Sequence, residues 1–507
     1  MKTAQVSVQA LERTCWWRGK LTPRALLTVS IAVFLAVLGA VKGTDSKENG
    51  SFERLNRLLS GGLCIPSSAL AAPELLEAVE SLGTKRIRLI GLDKRSLKAI
   101  GKDGTPEVEW SPEVERVLRM LKERGWSPYV VWGLYAPEPI VRREKNLGAA
   151  LSSSDWETYE QFTEAMIGHL HQTWRFETID IEVGNEFDAA NRTGTPWFMN
   201  QPPRNDVGLC ADCLNGYLSL YGHVARVVTR YQASHPDVTI RVGGPGATSA
   251  SFSEFWRRKP NYINWVCEFV DRALDRNYRV DFVSWHAYGN LGGTDFVSGV
   301  RDIQRRLGMH HSTAEIAISE WGLVPNIHGE ENREPVAGAF ALDFLVIAES
   351  LGLEDATFLT LAPGNPRNSI PALFYWKEAG GWSESHVMKA LRQLKSVLAG
   401  RELRCLTEEP GLGCLASKEG NGSIEVVVWA FDWMKPPGRS SRPASTRLDI
   451  TVLLEKPAQP KMIERLELNG VEDPSARARV RISGGPEALR LEGLQMRNGD
   501  YAMTILR

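Results

Sequence analysis

Between residues 55 and 400, short apolar runs bounded by turn residues alternate with longer amphipathic stretches, and few folds accommodate that pattern. The runs that predict strands are 85–91 (KRIRLIG), 128–134 (PYVVWGL), 178–184 (TIDIEVG), 239–244 (TIRVGG), 281–286 (DFVSWH), 315–320 (EIAISE) and 356–362 (ATFLTLA). A weaker run at 59–65 (LSGGLCI) precedes them and makes eight. Helical periodicity occupies the gaps, as at 73–83, 112–125, 155–174 and 334–352. Strands separated by helices pair in parallel, because the crossover returns the chain to the same end of the sheet. Eight such units predict an α/β fold of the closed (β/α)8 TIM barrel type, occupying 55–400. An open doubly wound sheet would need a Gly-rich phosphate loop after its first strand, and the sequence has none.

The pattern changes at both ends. Past residue 400 helical periodicity fades, and β-rich runs at 423–431, 446–454, 477–483 and 501–506 predict a small β-sandwich over 401–507. At the other end, residues 1–24 form a basic tail with Lys2, Arg13, Arg18, Lys20 and Arg24 against a single Glu12. An uninterrupted apolar run follows at 25–41, about the minimum of the ~17–25 residues that a spanning helix takes. Cations upstream hold that end in the cytosol, so everything after Val41 is expected on the luminal or extracellular side. The run is then either a type II signal anchor with one membrane span or a signal peptide cleaved near Gly39 and Ala40, which would make the protein secreted. A polar linker, 42–54, leads into the barrel.

Cysteine usage agrees with that compartment. Cys15 lies in the tail, and six others lie beyond the apolar run: Cys64, Cys210, Cys213, Cys267, Cys405 and Cys414. An even set in an oxidising compartment reads as disulfides. Cys405 and Cys414 flank the turn-rich LTEEPGLG and are expected to staple a hairpin. Cys210-Ala-Asp-Cys213 has neither a second pair nor neighbouring histidines, so a local disulfide is expected there rather than zinc. Sequons at Asn49, Asn191 and Asn421 fall on the same side.

Charge narrows the partners. Lys plus Arg number 60 and Asp plus Glu 61, a balance that argues against nucleic acid and for a neutral small or polymeric ligand. No motif calls for a cofactor or a metal. In a barrel the site forms at the carboxyl ends of the strands, so polar residues there carry more weight than elsewhere. The fourth strand ends in Gly184-Asn185-Glu186, the sixth in His286-Ala287-Tyr288, and the seventh in Ser319-Glu320-Trp321. A single strand-end glutamate can be a structural ion pair, and a single histidine can satisfy backbone carbonyls. Two glutamates at opposed strand ends are instead what glycosidic cleavage requires: one protonates the leaving oxygen while the other attacks the sugar carbon or activates water. A separation near 5 Å would give retention of configuration. Glu186 as acid would need a raised pKa, whereas Glu320 must stay ionised.

The same segments resemble the clan A glycoside hydrolases, and within that clan they are similar to glycoside hydrolase family 39, the β-xylosidases and α-L-iduronidases. The similar stretches are IEVGNEFD at 181–188, RVGGPGA at 241–247, DFVSWHAYG at 281–289, ISEWG at 318–322 and IRLIG at 87–91. They run in family order over about residues 55–400, with a β-sandwich following as in the family. The resemblance implies Glu186 as acid/base, Glu320 as nucleophile, Asn185 as ligand of the sugar 2-hydroxyl, and His286 and Tyr288 as supports of the nucleophile. Arg88 falls where the family has an arginine, and Trp321 beside the nucleophile joins the expected substrate-binding set. Departures concern the surroundings: Gly184 and Phe187 stand where the family has Trp and Pro, Ile90 where it often has His, and strand eight lacks the family's usual aromatic. The expected activity is retaining hydrolysis of a glycan or glycoside, a β-xyloside or uronide. The alternatives are transglycosylation through the same intermediate, a catalytically silent carbohydrate-binding protein, and a structural extracellular domain.

Overall fold

In the computed structural model the described residues are 51–64, 73–92, 99–100, 106–108, 110–135, 151–189, 211–259, 262–289, 293–324, 330–363, 368–377, 379–407, 411–431, 446–453, 462–485, 488–497 and 499–506. The apolar run 25–41, the sequons at Asn49 and Asn191, and Cys210 lie outside them. Among the described residues no helix is long and apolar enough to cross a membrane.

Local chemistry sets the helices. Pro112–Glu123 starts with a proline in its first turn, where no amide bond is lost, and Ser111 caps it by accepting from Val114 N. Ser153–Gly168 starts at a reciprocal capping box between Ser152 and Asp155. His386–Ala399 buries Val387, Met388, Ala390, Leu391, Leu394, Val397 and Leu398, one apolar stripe at three- and four-residue spacing.

Eight strands form the barrel: β1 (Leu63–Cys64), β2 (Arg86–Leu89), β3 (Ser127–Trp132), β4 (Thr178–Val183), β5 (Thr239–Ala247), β6 (Phe282–Tyr288), β7 (Glu315–Gly322) and β8 (Asp355–Leu359). Each is followed by a helix: α1 (Pro73–Ser81), α2 (Pro112–Glu123), α3 (Ser153–Gly168), α4 (Ala211–Ser234), α5 (Trp265–Asp275), α6 (Gly293–Met309), α7 (Pro335–Ser350) and α8 (His386–Ala399). The strands pair in parallel and in chain order, and the sheet closes. Two-residue β1 makes the closure, with Leu63 opposite both Ile87 of β2 and Phe358 of β8. Gly243 is required where β5 meets β6, because a Cβ there would come within 2.2 Å of the Phe282 carbonyl oxygen.

Alternation along the strands sorts the side chains into two environments. On β4, Ile179, Ile181 and Val183 pack under the helices, whereas Asp180 and Glu182 are equally buried and point into the barrel. A lower interior layer joins Asp180 to Arg86 (2.7 Å) and Arg241 (2.7 Å), with Asp355 paired to Arg86. The next layer, two residues up, contains Arg88 and Glu182. Tyr129, Phe282 and Ala317 form a small apolar cluster of their own. The barrel is thus filled by matched charges at levels where aliphatic layers are usual.

Arg401 begins a second architecture of two antiparallel sheets. Six strands, including β9 (Leu412–Lys418), β10 (Ile424–Ala430) and β11 (Tyr501–Leu506), form one sheet, and four strands form the other. Every residue of β10 is buried, because Val426, Val428 and Ala430 face the sandwich core while Val427 and Trp429 join the core of the barrel helices. Trp429 Nε1 donates to Asp343 of α7 at 2.8 Å, and the Tyr501 ring lies against Gly338 of the same helix, where a Cβ would come within 2.5 Å. The expected strand at 477–483 is corrected: Pro474–Arg479 is helical and the strand is Arg481–Gly485. Arg and Ala are strong helix formers, which the β-branched residues further on do not outweigh until Val480.

Cys405 and Cys414 form the expected disulfide, and Cys213 is also disulfide-bonded. Cys267 departs from the paired reading: its thiol is free and buried in α5, and burial pushes it up to about 11.

Trp429 ties the sheet to the barrel, so Trp429→Ala is expected to lower stability by about 3–5 kcal/mol through cavity formation and loss of the Asp343 bond. Urea unfolding followed by far-UV circular dichroism and by tryptophan fluorescence measures it. A loss below about 1 kcal/mol would mean that the two parts do not depend on this contact.

Candidate active site

Glu186, His286 and Glu320 meet at the carboxyl ends of β4, β6 and β7. One ligand atom from each lies within 4.8 Å of the other two, and no other described group of histidine, cysteine or carboxylate residues converges in this way. The register explains the meeting, since His286 pairs with Glu320 across β6 and β7. His286 Nδ1 stands 2.8 Å from Glu186 Oε1 and 3.3 Å from Glu320 Oε2. Both neighbours are carboxylates, so Nδ1 carries the proton. Burial pulls the imidazole down, but the Glu320 charge and the bond to Glu186 outweigh it and raise its pKa above the ordinary value.

The two glutamates occupy different surroundings. The Glu186 side chain is 34% exposed and that of Glu320 only 8%. Both oxygens of Glu320 are held: Oε1 by Arg88 Nη1 at 2.7 Å and Oε2 by the Tyr288 hydroxyl at 2.7 Å. Burial alone would raise the Glu320 carboxyl; the charges of His286 and Arg88 and the bonds from Tyr288 and Arg88 prevail and keep it below the usual carboxylate range. Burial and the Glu320 charge hold the Tyr288 hydroxyl far above its ordinary pKa, so it stays a donor.

Arg88 organises the group. It is fully buried and reaches three partners: Glu182 (2.6 Å), Glu320 (2.7 Å) and Asn185 Oδ1 (2.7 Å). Because the Asn185 oxygen accepts from Arg88, its amide hydrogens are the part left to act as donors. Ser284 donates to the other oxygen of Glu182 at 2.6 Å. With a guanidinium this close, the carboxylates already have their counter-ion, and the cluster is poorly suited to a metal.

Glu186 sits on a turn that ordinary side chains avoid, with φ of +55°. Its amide donates to Gly246 O at 2.8 Å, and its carbonyl accepts from Ala189 N at 3.0 Å. Gly184 precedes it at φ +82°, and a Cβ there would come within 2.7 Å of the Phe187 ring. Gly184 and Phe187 are therefore one packing solution: the Phe187 ring fills the volume that a larger residue 184 would need.

Six of the seven residues expected from sequence come together: Glu186, Glu320, Asn185, His286, Tyr288 and Arg88. Trp321 does not. It is 2% exposed, stacks on Phe344 of α7 at 4.7 Å and meets Phe358 edge-on. Strand parity requires this, since the neighbour of an inward Glu320 faces outward. Glu182 belongs to the site without standing at a strand end; its signal is in TIDIEV, acidic residues alternating with aliphatics on a buried strand. Asp188, two residues past Glu186, is a second buried acid that the strand ends do not reveal. Ile90 is 41% exposed, and residues 190–210, between β4 and α4, lie outside the described residues.

No protein-family model matches the chain, and no curated protein sequence matches it. Solved structures do. A monomeric β-xylosidase from Caulobacter crescentus CB15 superposes with a TM-score of 0.59 at 18% identity, covering 89% of this chain and 96% of that one. A glycoside hydrolase family 39 enzyme from Xanthomonas axonopodis pv. citri gives 0.59 at 16% identity, with 89% and 93% covered. A family 39 glycoside hydrolase from Bacteroides cellulosilyticus WH2 gives 0.54 at 14%, with 90% and 82% covered. The fold is shared with these proteins over most of both chains.

Arg88→Met leaves Glu182 and Glu320 buried without their cation and is expected to cost about 3–5 kcal/mol. The sign with pH follows. In the native protein the depressed Glu320 carboxyl adds stability above its unfolded pKa, and that part is lost as pH falls through the folded pKa. In the variant the part that Arg88 supplies is gone, while that of His286 and Tyr288 remains, so its deficit shrinks toward acid pH. Urea midpoints across the acid range measure this, and a deficit that does not change with pH would refute the electrostatic account.

Proposed function

We propose that this protein is a retaining glycoside hydrolase in which Glu186 is the acid/base and Glu320 the nucleophile. The observation that carries the reading is the close approach of two glutamates with unlike surroundings. Their nearest oxygens lie within 4.8 Å, in keeping with the ~5 Å separation that lets one carboxylate bond to the sugar while the other handles the proton. An inverting enzyme keeps its carboxyls about 6.5–9.5 Å apart to admit a water.

In the first step a Glu320 oxygen attacks the anomeric carbon while the Glu186 carboxyl protonates the departing glycosidic oxygen. The second step reverses the roles: Glu186 takes a proton from water, and the water displaces Glu320 from the sugar. Arg88, Tyr288 and His286 keep Glu320 ionised and oriented for attack. Asn185, steadied by Arg88, offers its amide to the sugar 2-hydroxyl, a bond that strengthens as the ring gains positive charge. The shared fold with a β-xylosidase and with a family 39 enzyme supports this chemistry and suggests a β-xyloside as substrate, with a uronide the alternative that the sequence resemblance implies. The apolar run at 25–41, the cations before it and the Cys405–Cys414 disulfide support a membrane-anchored or secreted protein with the barrel outside the cytosol.

A panel of aryl glycosides (β-xyloside, α-arabinoside, α-iduronide, β-glucoside) tests the activity. On the sugar that is cleaved, proton NMR of the first-formed product is expected to give the configuration of the substrate. Glu320→Gln is expected to lower kcat by about 10³-fold or more, because it removes the group that forms the intermediate. An inverted first product, or full turnover by the variant, would contradict the reading.

A further inference from the structure

Asp188 lies two residues beyond Glu186, in the short helical turn Phe187–Ala189, and it is fully buried. Its carboxylate faces the segment after β5. Oδ1 accepts from Thr248 N at 3.0 Å, while Oδ2 accepts from Thr248 N at 3.1 Å, Thr248 Oγ1 at 2.6 Å and Ser251 Oγ at 3.2 Å. On the near side of the same turn, Glu186 N donates to Gly246 O. The backbone carrying Glu186 is therefore fastened to the β5 end on both sides, by a main-chain bond before it and a carboxylate clamp after it.

We propose that Asp188 is a positioning residue for Glu186: by clamping the turn to Thr248 and Ser251, it fixes the point at which the acid/base delivers its proton. The inference rests on the glycosidase reading above. Glu186 is left-handed and partly exposed, and the bond from its side chain to His286 does not by itself define where its backbone stands. Packing alone does not account for a carboxylate at 188. Burial and the nearby Glu186 charge push the Asp188 carboxyl up to about 6 despite its bonds to Thr248, so an apolar residue would fill the space at lower cost. What an apolar residue cannot do is tie two loops together.

Leaving-group dependence separates this role from general support of the fold. A 2,4-dinitrophenolate departs without protonation, whereas a phenolate needs the acid, so displacement of Glu186 penalises only the second. Asp188→Ala is expected to lower kcat/KM for the phenyl glycoside by about 10²-fold. For the dinitrophenyl glycoside of the same sugar the loss should stay within about threefold, and added azide, which attacks without a general base, should speed release of the sugar. Thr248→Val removes the shortest of the four bonds with little change of shape. It is expected to give the same selectivity at about three- to tenfold, and it carries the test if Asp188→Ala does not fold. Equal losses on both glycosides, or no loss on either, overturn the inference while leaving the glycosidase reading intact. A native protein inert toward the whole aryl glycoside panel overturns that reading and this inference with it.

Discussion

The guanidinium of Arg88 is the interaction on which the site depends. It sits without solvent among two carboxylates and an amide, and each partner needs it for a different reason. Glu182 would otherwise be a naked charge in the barrel interior. Glu320 would lose one of the two cations that oppose burial, the largest influence on it and one that favours its neutral form. Asn185 would lose the bond that tells its oxygen from its nitrogen. Ion pairs of this kind contribute little net stability compared with a well-packed apolar core, so their presence here points to function. They hold a carboxylate charged and aimed in a place where water cannot.

The barrel makes this possible by repetition. Two strand residues that alternate, Arg86 with Arg88 and Asp180 with Glu182, build two stacked charged layers from one simple pattern. The lower layer joins the strands near their amino ends; the upper one delivers its arginine to the mouth. On the opposite wall Glu186 follows another logic. Glu186 stands on a left-handed turn that depends on Gly184 lacking a side chain, on Phe187 occupying the vacated space, and on bonds from both flanks to the β5 end. Glu320 is held by charge, whereas Glu186 is held by backbone geometry.

Much of this is legible in the sequence, and the gaps have physical causes. Long apolar runs announce seven barrel strands, and the eighth, Leu63–Cys64, is faint because only two residues pair. The carboxylates stand out because strand ends in a barrel converge whatever the intervening loops do. Trp321 is where nearness along the chain fails as a guide to nearness in space: adjacent strand residues face opposite ways, and its ring packs on α7. In the sandwich, IERLEL at 463–468 and ALRLEGLQM at 488–496 are strands built from residues that favour helices, so tertiary pairing decides their state. Asp188 gives no local signal, since its partners lie some sixty residues away at Thr248 and Ser251 and only the folded barrel brings them close.

The central claim is that Glu320 bonds covalently to the sugar. A 2-deoxy-2-fluoro glycoside with an activated leaving group tests it directly, since the fluorine slows both steps and the leaving group restores only the first, so the intermediate accumulates. Intact-mass spectrometry followed by peptide mapping is predicted to find one sugar per chain, attached at Glu320. Attachment at Glu186, or turnover of such a reagent with no adduct and an inverted product, would contradict the account.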